Sequence, residues 1–160
     1  MKKLLILLGS GGHTVQMLRL INGLGKRYNY EYVIADDDNT SEKQIKYKGK
    51  VYTLKNVRTK YDYNIFKIIL KFIPSTIEAL KILLNSKPDA IIGCGPGFNL
   101  HILFLANMMR IKVIYFESWV RVKHPSITGK LIYPFTDLFF VQWPTLKSKF
   151  KRAIYAGRLG

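Results

Sequence analysis

Short unbroken apolar runs alternate along this chain with longer stretches in which apolar residues recur at helical spacing. Leu4-Leu5-Ile6-Leu7-Leu8 is the first such run, and its length and branched composition predict a buried strand at about residues 3–8. A helical pattern follows at about 12–26, then strands at about 30–35 and near 50–54. A long helical stretch from 64 to 85, interrupted by Pro74, precedes a strand at 89–92 and a helix at about 98–109. The rest reads as a strand at 112–116, a helix near 126–133, and strands near 137–141 and 153–155. Strands that are apolar throughout and separated by helices predict an α/β fold, a Rossmann-like parallel sheet with helices on both faces. Neither a repeat nor a linker breaks the pattern, so residues 1–160 are expected to form one domain.

Sheets of this kind bind ligands at the carboxyl ends of their strands, where the strand order reverses. Three segments fall at such ends: 9–14, 93–97 and 117–124. In the first, Gly9-Ser10-Gly11-Gly12-His13-Thr14 takes the chain from strand to helix through a turn rich in glycine. The first amides of a helix lack intrahelical partners and attract phosphate, and a histidine beside them can move a proton near neutral pH. A plain strand-to-helix turn with an incidental histidine is the alternative. A dinucleotide-binding domain is another, because Gly9-x-Gly11-x-x-Thr14 nearly matches that fingerprint and Asp36 ends the second strand. Against it, Thr14 replaces the small residue needed for close helix–strand packing, and 160 residues leave little room for a substrate domain.

The second segment, Gly93-Cys94-Gly95-Pro96-Gly97-Phe98-Asn99, repeats the strand–turn–helix design, with Cys94 expected in its loop. Two such turns can line one crevice and hold a diphosphate, although a tight turn with Pro96 opening a helix also accounts for the pattern. The third, Phe116-Glu117-Ser118-Trp119-Val120-Arg121-Val122-Lys123-His124-Pro125, offers Glu117 as an acid or base and Arg121 as an anion clamp. A Glu–Arg pair in a surface loop is the simpler reading of the same residues.

Charge narrows the partners. With 26 Lys and Arg against 10 Asp and Glu, the formal net charge is +16, which calls for an anionic partner. Nucleic acid is not expected, since no helix-turn-helix spacing, zinc-finger spacing or RNP-like strand is present. A phosphate-bearing substrate and an anionic membrane surface remain. In Asn64-Ile65-Phe66-Lys67-Ile68-Ile69-Leu70-Lys71-Phe72-Ile73-Pro74, the residues Lys60, Asn64, Lys67 and Lys71 form one narrow polar stripe on a helix otherwise apolar. Phe66, Ile69, Leu70, Phe72 and Ile73 would then lie among lipid headgroups with the lysines reaching to phosphate. Burial between the sheet and a partner subunit is the competing explanation. Met1-Lys2-Lys3 imitates the start of a signal peptide, yet the apolar run ends at Gly9 without a cleavage site. No run reaches the roughly 18 apolar residues of a spanning helix. The single cysteine excludes an internal disulfide and fits a reducing compartment. The expected location is the cytoplasm, at the cytoplasmic face of a membrane.

Taken together, the motifs resemble the Alg14 family of glycosyltransferase subunits and its bacterial capsule and exopolysaccharide relatives. The likeness rests on Gly9-Ser10-Gly11-Gly12-His13-Thr14, Gly95-Pro96-Gly97 and Glu117-Ser118-x-x-Arg121-Val122-Lys123. It continues in Ser126-x-Thr128-Gly129-Lys130-Leu131-x-Tyr133-Pro134 and Asp137-x-Phe139-x-Val141-Gln142-Trp143-Pro144. The resemblance implies the N-terminal, acceptor half of a GT-B glycosyltransferase, active with an Alg13-like chain that supplies the nucleotide-sugar half. It implies transfer from a UDP-sugar such as UDP-GlcNAc to a polyprenyl-diphosphate-linked sugar, with no metal or cofactor. Gly11, Gly12, Thr14, Gly95, Pro96, Gly97, Arg121 and Lys123 are the expected substrate-binding residues. His13 is the expected general base, favoured by a similar turn in MurG-type transferases, with Glu117 second as base or as orienter of the histidine. Many family members carry an N-terminal membrane helix, whereas this sequence starts at the first strand, so membrane attachment would rest on residues 60–74. A non-catalytic membrane adaptor is the remaining alternative.

Overall fold

The computed structural model describes residues 1–9, 11–56, 65–95 and 100–159, with the backbone alone for 65–71. In chain order it contains β1 (Lys3–Leu7), α1 (Gly12–Leu24), β2 (Asn29–Ala35), β3 (Val51–Leu54), α2 (Ile65–Ser86) and β4 (Ala90–Cys94). These are followed by α3 (Leu100–Met108), β5 (Lys112–Phe116), α4 (Ile127–Ile132), β6 (Leu138–Val141) and β7 (Ile154–Tyr155). The seven strands form one sheet in the order β3-β2-β1-β4-β5-β6-β7. Every pairing is parallel, with Leu4, Leu5 and Ile6 opposite Ala90, Ile91 and Ile92 at the centre. The α/β expectation holds.

Alternation along β1 divides the core. Leu5 and Leu7 point to one face and meet Leu83 of α2, Ile102 and Leu103 of α3 and Ile132 of α4. Leu4, Ile6 and Leu8 point to the other and meet Met17 and Ile21 of α1. A strand buried on both faces needs apolar residues at every position, which is why β1 and β4 read as continuous runs rather than alternating ones. Each fully buried Leu or Ile contributes on the order of 1.5–3 kcal/mol by removal from water.

Three details differ from expectation. Helix α2 runs unbroken through Pro74; the proline sits on the exposed side, where the carbonyl it leaves unpaired can take water. Cys94 closes β4 instead of lying in the loop, and it is buried. Short stretches of 3-10 helix at 42–44 and 144–149 carry no apolar periodicity for sequence reading to detect.

Of the proposed membrane segment, Lys60 lies outside the described residues, and Phe66, Lys67, Ile69, Leu70 and Lys71 lie where only the backbone is described. Phe72 and Ile73 are 48% and 60% exposed, and the same outer face continues through the exposed Ile77, Leu80 and Leu84. Among the described residues, no helix is long and apolar enough to cross a membrane.

Candidate functional site at the topological switch point

Strands β1 and β4 are neighbours, but β1 leads through α1 to β2 on one side and β4 through α3 to β5 on the other. Their carboxyl ends therefore part around a crevice, the place where such sheets bind ligands. From β1, the chain turns at Gly11, whose φ of 60° is readily reached only without a side chain. The first bond of α1 in the turn joins Val15 N–H to the Gly11 carbonyl at 3.3 Å, so the preceding amides face outward at the positive end of a 13-residue helix. Gly11 and Gly12 are exposed there. The indole of Trp119 lies against Gly12, with Nε1 at 3.9 Å from where a Cβ would be, and so walls the cradle on one side.

From β4 comes the floor for His13. Gly95 has φ 79°, and a Cβ on it would overlap the imidazole of His13. The ring thus stands directly on the glycine, whose carbonyl accepts the Tyr115 hydroxyl at 3.1 Å. His13 Nδ1 lies 3.8 Å from the Cys94 sulfur. Burial holds the imidazole below its ordinary pKa, and the Arg121 guanidinium lowers it further. His13, Gly95 and Arg121, from three different segments, come near one another here. His13 is consequently neutral at pH 7, its titration lying below the ordinary value of 6.5. Arg121→Gln removes one of the two depressing influences, so the His13 titration followed by NMR is expected to move to higher pH. A downward or absent shift would separate Arg121 from the histidine.

Glu117 requires correction. Its side chain is 0% exposed. Oε1 accepts from the Ser118 amide at 2.9 Å, and Oε2 accepts from the Ser126 amide at 3.1 Å and the Ser126 hydroxyl at 3.0 Å. Ser126 in turn caps α4 by accepting from Gly129 N–H at 2.8 Å. A Cβ on Gly129 would run into the carboxylate, so glycine is needed there. With Oε1 held by the Ser118 amide and Oε2 holding the start of α4, Glu117 neither faces the crevice nor touches His13. Nor is it paired with Arg121 at the surface. Thr14 is also turned inward: it is buried, and its hydroxyl bonds the Gly9 carbonyl and lies 2.8 Å from that of Ser41. It ties the turn to the loop after β2 rather than offering a ligand contact. Lys123 is exposed in the same loop as Arg121. Pro96 and Gly97 lie outside the described residues. Asp36, the ribose-binding candidate of the dinucleotide reading, accepts from the Asn56 amide at 3.0 Å.

Sequence reasoning missed the layer beneath the site. Gln16 is fully buried, and its Oε1 accepts from Gln142 Nε2 at 2.6 Å and the Trp119 amide at 3.1 Å. Gln142 Nε2 also donates to the Glu117 carbonyl at 2.9 Å. Trp143 Nε1 donates to the Trp119 carbonyl at 2.6 Å, and Arg19 lies over the Trp119 ring at 5.4 Å. A signal existed: Gln16 interrupts the apolar face of α1 beside Met17, and a buried amide there must find polar partners.

The fold is that of one half of a GT-B glycosyltransferase. Acinetobacter baumannii MurG superposes with a TM-score of 0.74 at 15% identity, over 91% of this chain and 43% of MurG. UDP-GlcNAc 2-epimerase from Neisseria meningitidis, solved with UDP-GlcNAc, gives 0.70 at 14% identity over 98% of this chain and 47% of the epimerase. The chain thus spans under half the length of these structural neighbours, whose likeness concerns the fold alone. Residues 4–159 match the family described as "Oligosaccharide biosynthesis protein Alg14 like", and the chain belongs to that family. Similar relatives include the UDP-N-acetylglucosamine transferase subunit ALG14 of Mus musculus, 32% identical over 98% of this chain and 82% of its own length. The subunit of the same name from Schizosaccharomyces pombe is 35% identical over the same shares.

Proposed function

We propose that this chain is the acceptor-binding, membrane-recruiting subunit of a two-component inverting glycosyltransferase. It would present a polyprenyl-diphosphate-linked sugar to a UDP-sugar held by an Alg13-like partner, and N-acetylglucosamine, or a related sugar, would pass directly from donor to acceptor. The observation that carries this reading is the neutral His13 imidazole, seated on Gly95 beside Arg121 and next to the outward amides of α1. Diphosphate and acceptor hydroxyl need those two features side by side. The amides of Gly11, Gly12 and His13 bind the diphosphate, with Arg121 and Lys123 adding charge. His13 Nε2 takes the proton from the acceptor hydroxyl as that oxygen attacks the anomeric carbon. The bond from that carbon to the UDP oxygen breaks on the opposite face, its electron pair leaves with UDP, and the imidazolium returns its proton to water. Relatives named as transferase subunits support a division of labour in which one chain is incomplete.

The apolar outer face of α2 supports the membrane part of the reading. Phe72, Ile73, Ile77, Leu80 and Leu84 are exposed together on it, whereas single exposed apolar residues would need no explanation. Only two ion pairs form among the described residues, Lys3–Glu31 and Lys55–Glu78, so much of the positive charge is free to meet anionic lipid. The test is a transfer assay with UDP-GlcNAc and a polyprenyl-diphosphate acceptor in vesicles. The purified chain alone is expected to give no product, and addition of the nucleotide-sugar-binding chain is expected to restore turnover. Transfer by this chain without a second polypeptide would overturn the two-component reading.

A further inference from the structure

Three backbone groups determine where the hydrogens lie beneath the imidazole. The Glu117 carbonyl accepts from Gln142 Nε2 at 2.9 Å, and the Leu159 amide donates to Gln142 Oε1 at 2.8 Å, which leaves the Gln142 amide one orientation. The second Nε2 hydrogen of Gln142 meets a side-chain atom of Gln16 at 2.6 Å, and the Trp119 amide meets the same atom at 3.1 Å. An atom that faces two donors is the carbonyl oxygen of that glutamine, not its nitrogen. Cys94 Sγ lies 3.5 Å from this oxygen. Burial and the negative charge of Glu117 push the thiol pKa up, so the sulfur keeps its hydrogen. The oxygen has none to give, so the hydrogen of this contact is the thiol's, S–H···O, and at 3.5 Å the oxygen is the nearer acceptor, with His13 Nδ1 at 3.8 Å. The sulfur then has lone pairs alone to turn toward His13 Nδ1 at 3.8 Å. A ring nitrogen meets a lone pair favourably only when it carries a hydrogen itself.

We propose that Cys94 and Gln16 are positioning residues that hold neutral His13 as its Nδ1–H tautomer, leaving the Nε2 lone pair for the crevice. The inference rests on the reading of His13 as the base, for which the bare nitrogen must face the acceptor. Sulfur hydrogen bonds are weak, but they need only bias a choice between two tautomers of one ring. The third member of a catalytic triad makes the same choice with a carboxylate. Here a thiol passes on an orientation fixed by side-chain amides, with no added charge.

The test is long-range proton–nitrogen NMR on the full chain labelled with ¹⁵N-histidine. The His13 signals are identified by their loss in His13→Gln. In the unmodified chain Nδ1 is expected to be of the protonated, pyrrole type and Nε2 of the bare, pyridine type. Cys94→Ala should return the ring to the Nε2–H form that histidine favours in water, whereas Cys94→Ser, whose hydroxyl gives and accepts in the same pattern, should retain Nδ1–H. With the partner present, Cys94→Ala should lower kcat and leave the acceptor KM unchanged. A majority of Nε2–H in the unmodified chain, or a tautomer unmoved by Cys94→Ala, overturns the inference. An Nδ1–H ring in a chain whose His13→Ala variant keeps full turnover would instead overturn the base reading and leave the tautomer assignment standing.

Discussion

Replacement of His13 by alanine is expected to lower the turnover of the reconstituted transferase by about 100- to 10,000-fold, the usual contribution of a well-placed general base. The acceptor is not lost with the ring. In the proposed mechanism the diphosphate contacts come from main-chain N–H groups at the start of α1, which the substitution keeps, and Arg121 remains in place. Sedimentation with vesicles that contain the acceptor should therefore be close to normal. The pattern to look for is a fall in kcat with a nearly constant acceptor KM, the mark of an interaction made chiefly in the transition state. If instead the variant turns over at the normal rate, the chain acts as an adaptor for its partner and catalysis lies wholly outside it. Loss of vesicle binding in step with activity would make His13 a ligand contact, not a base.

The second large effect is expected from one added methyl group. Gly95→Ala places a Cβ inside the volume of the His13 ring and forces an alanine to φ 79°. The backbone strain alone costs on the order of 1–3 kcal/mol. The imidazole must also move, and displacement of a catalytic group by about 1 Å can cost roughly 100-fold in rate. The double variant is the decisive measurement. If Gly95 acts by seating the ring, His13→Ala/Gly95→Ala should be no slower than His13→Ala alone, because there is no ring left to displace. Rate losses that multiply would show that the turn after β4 contributes to binding by itself.

Most of the architecture was readable because buried parallel strands have a simple chemical signature. Ala90-Ile91-Ile92 and Lys112 to Phe116 could hardly be anything else between two helical patterns, and both are strands here. The glycines that open the crevice were readable too, since Gly11 and Gly95 occupy conformations that other residues adopt only under strain. Glu117 was misjudged for a definite reason. A carboxylate at a strand end looks the same in sequence whether it faces a ligand or braces the cap of the next helix. What decides is Gly129, twelve positions on, which makes room for it. Thr14 is a similar case, with its partner Ser41 in a distant loop. Contacts between Gln16 and Gln142 span 126 positions. No local pattern announces such a pairing, although a lone amide on an apolar helix face hints that one exists.

The bond from Leu159 to Gln142 has a practical side. Leu159 is tied down: its amide closes on Gln142 at 2.8 Å, and its carbonyl accepts from Arg19 Nη1 at 3.1 Å. A purification tag or fluorophore joined there would pull on the same glutamine that orients the layer under the imidazole. Met1, 76% exposed at the opposite end of the sheet, is the better point of attachment for any label meant to leave the chemistry undisturbed.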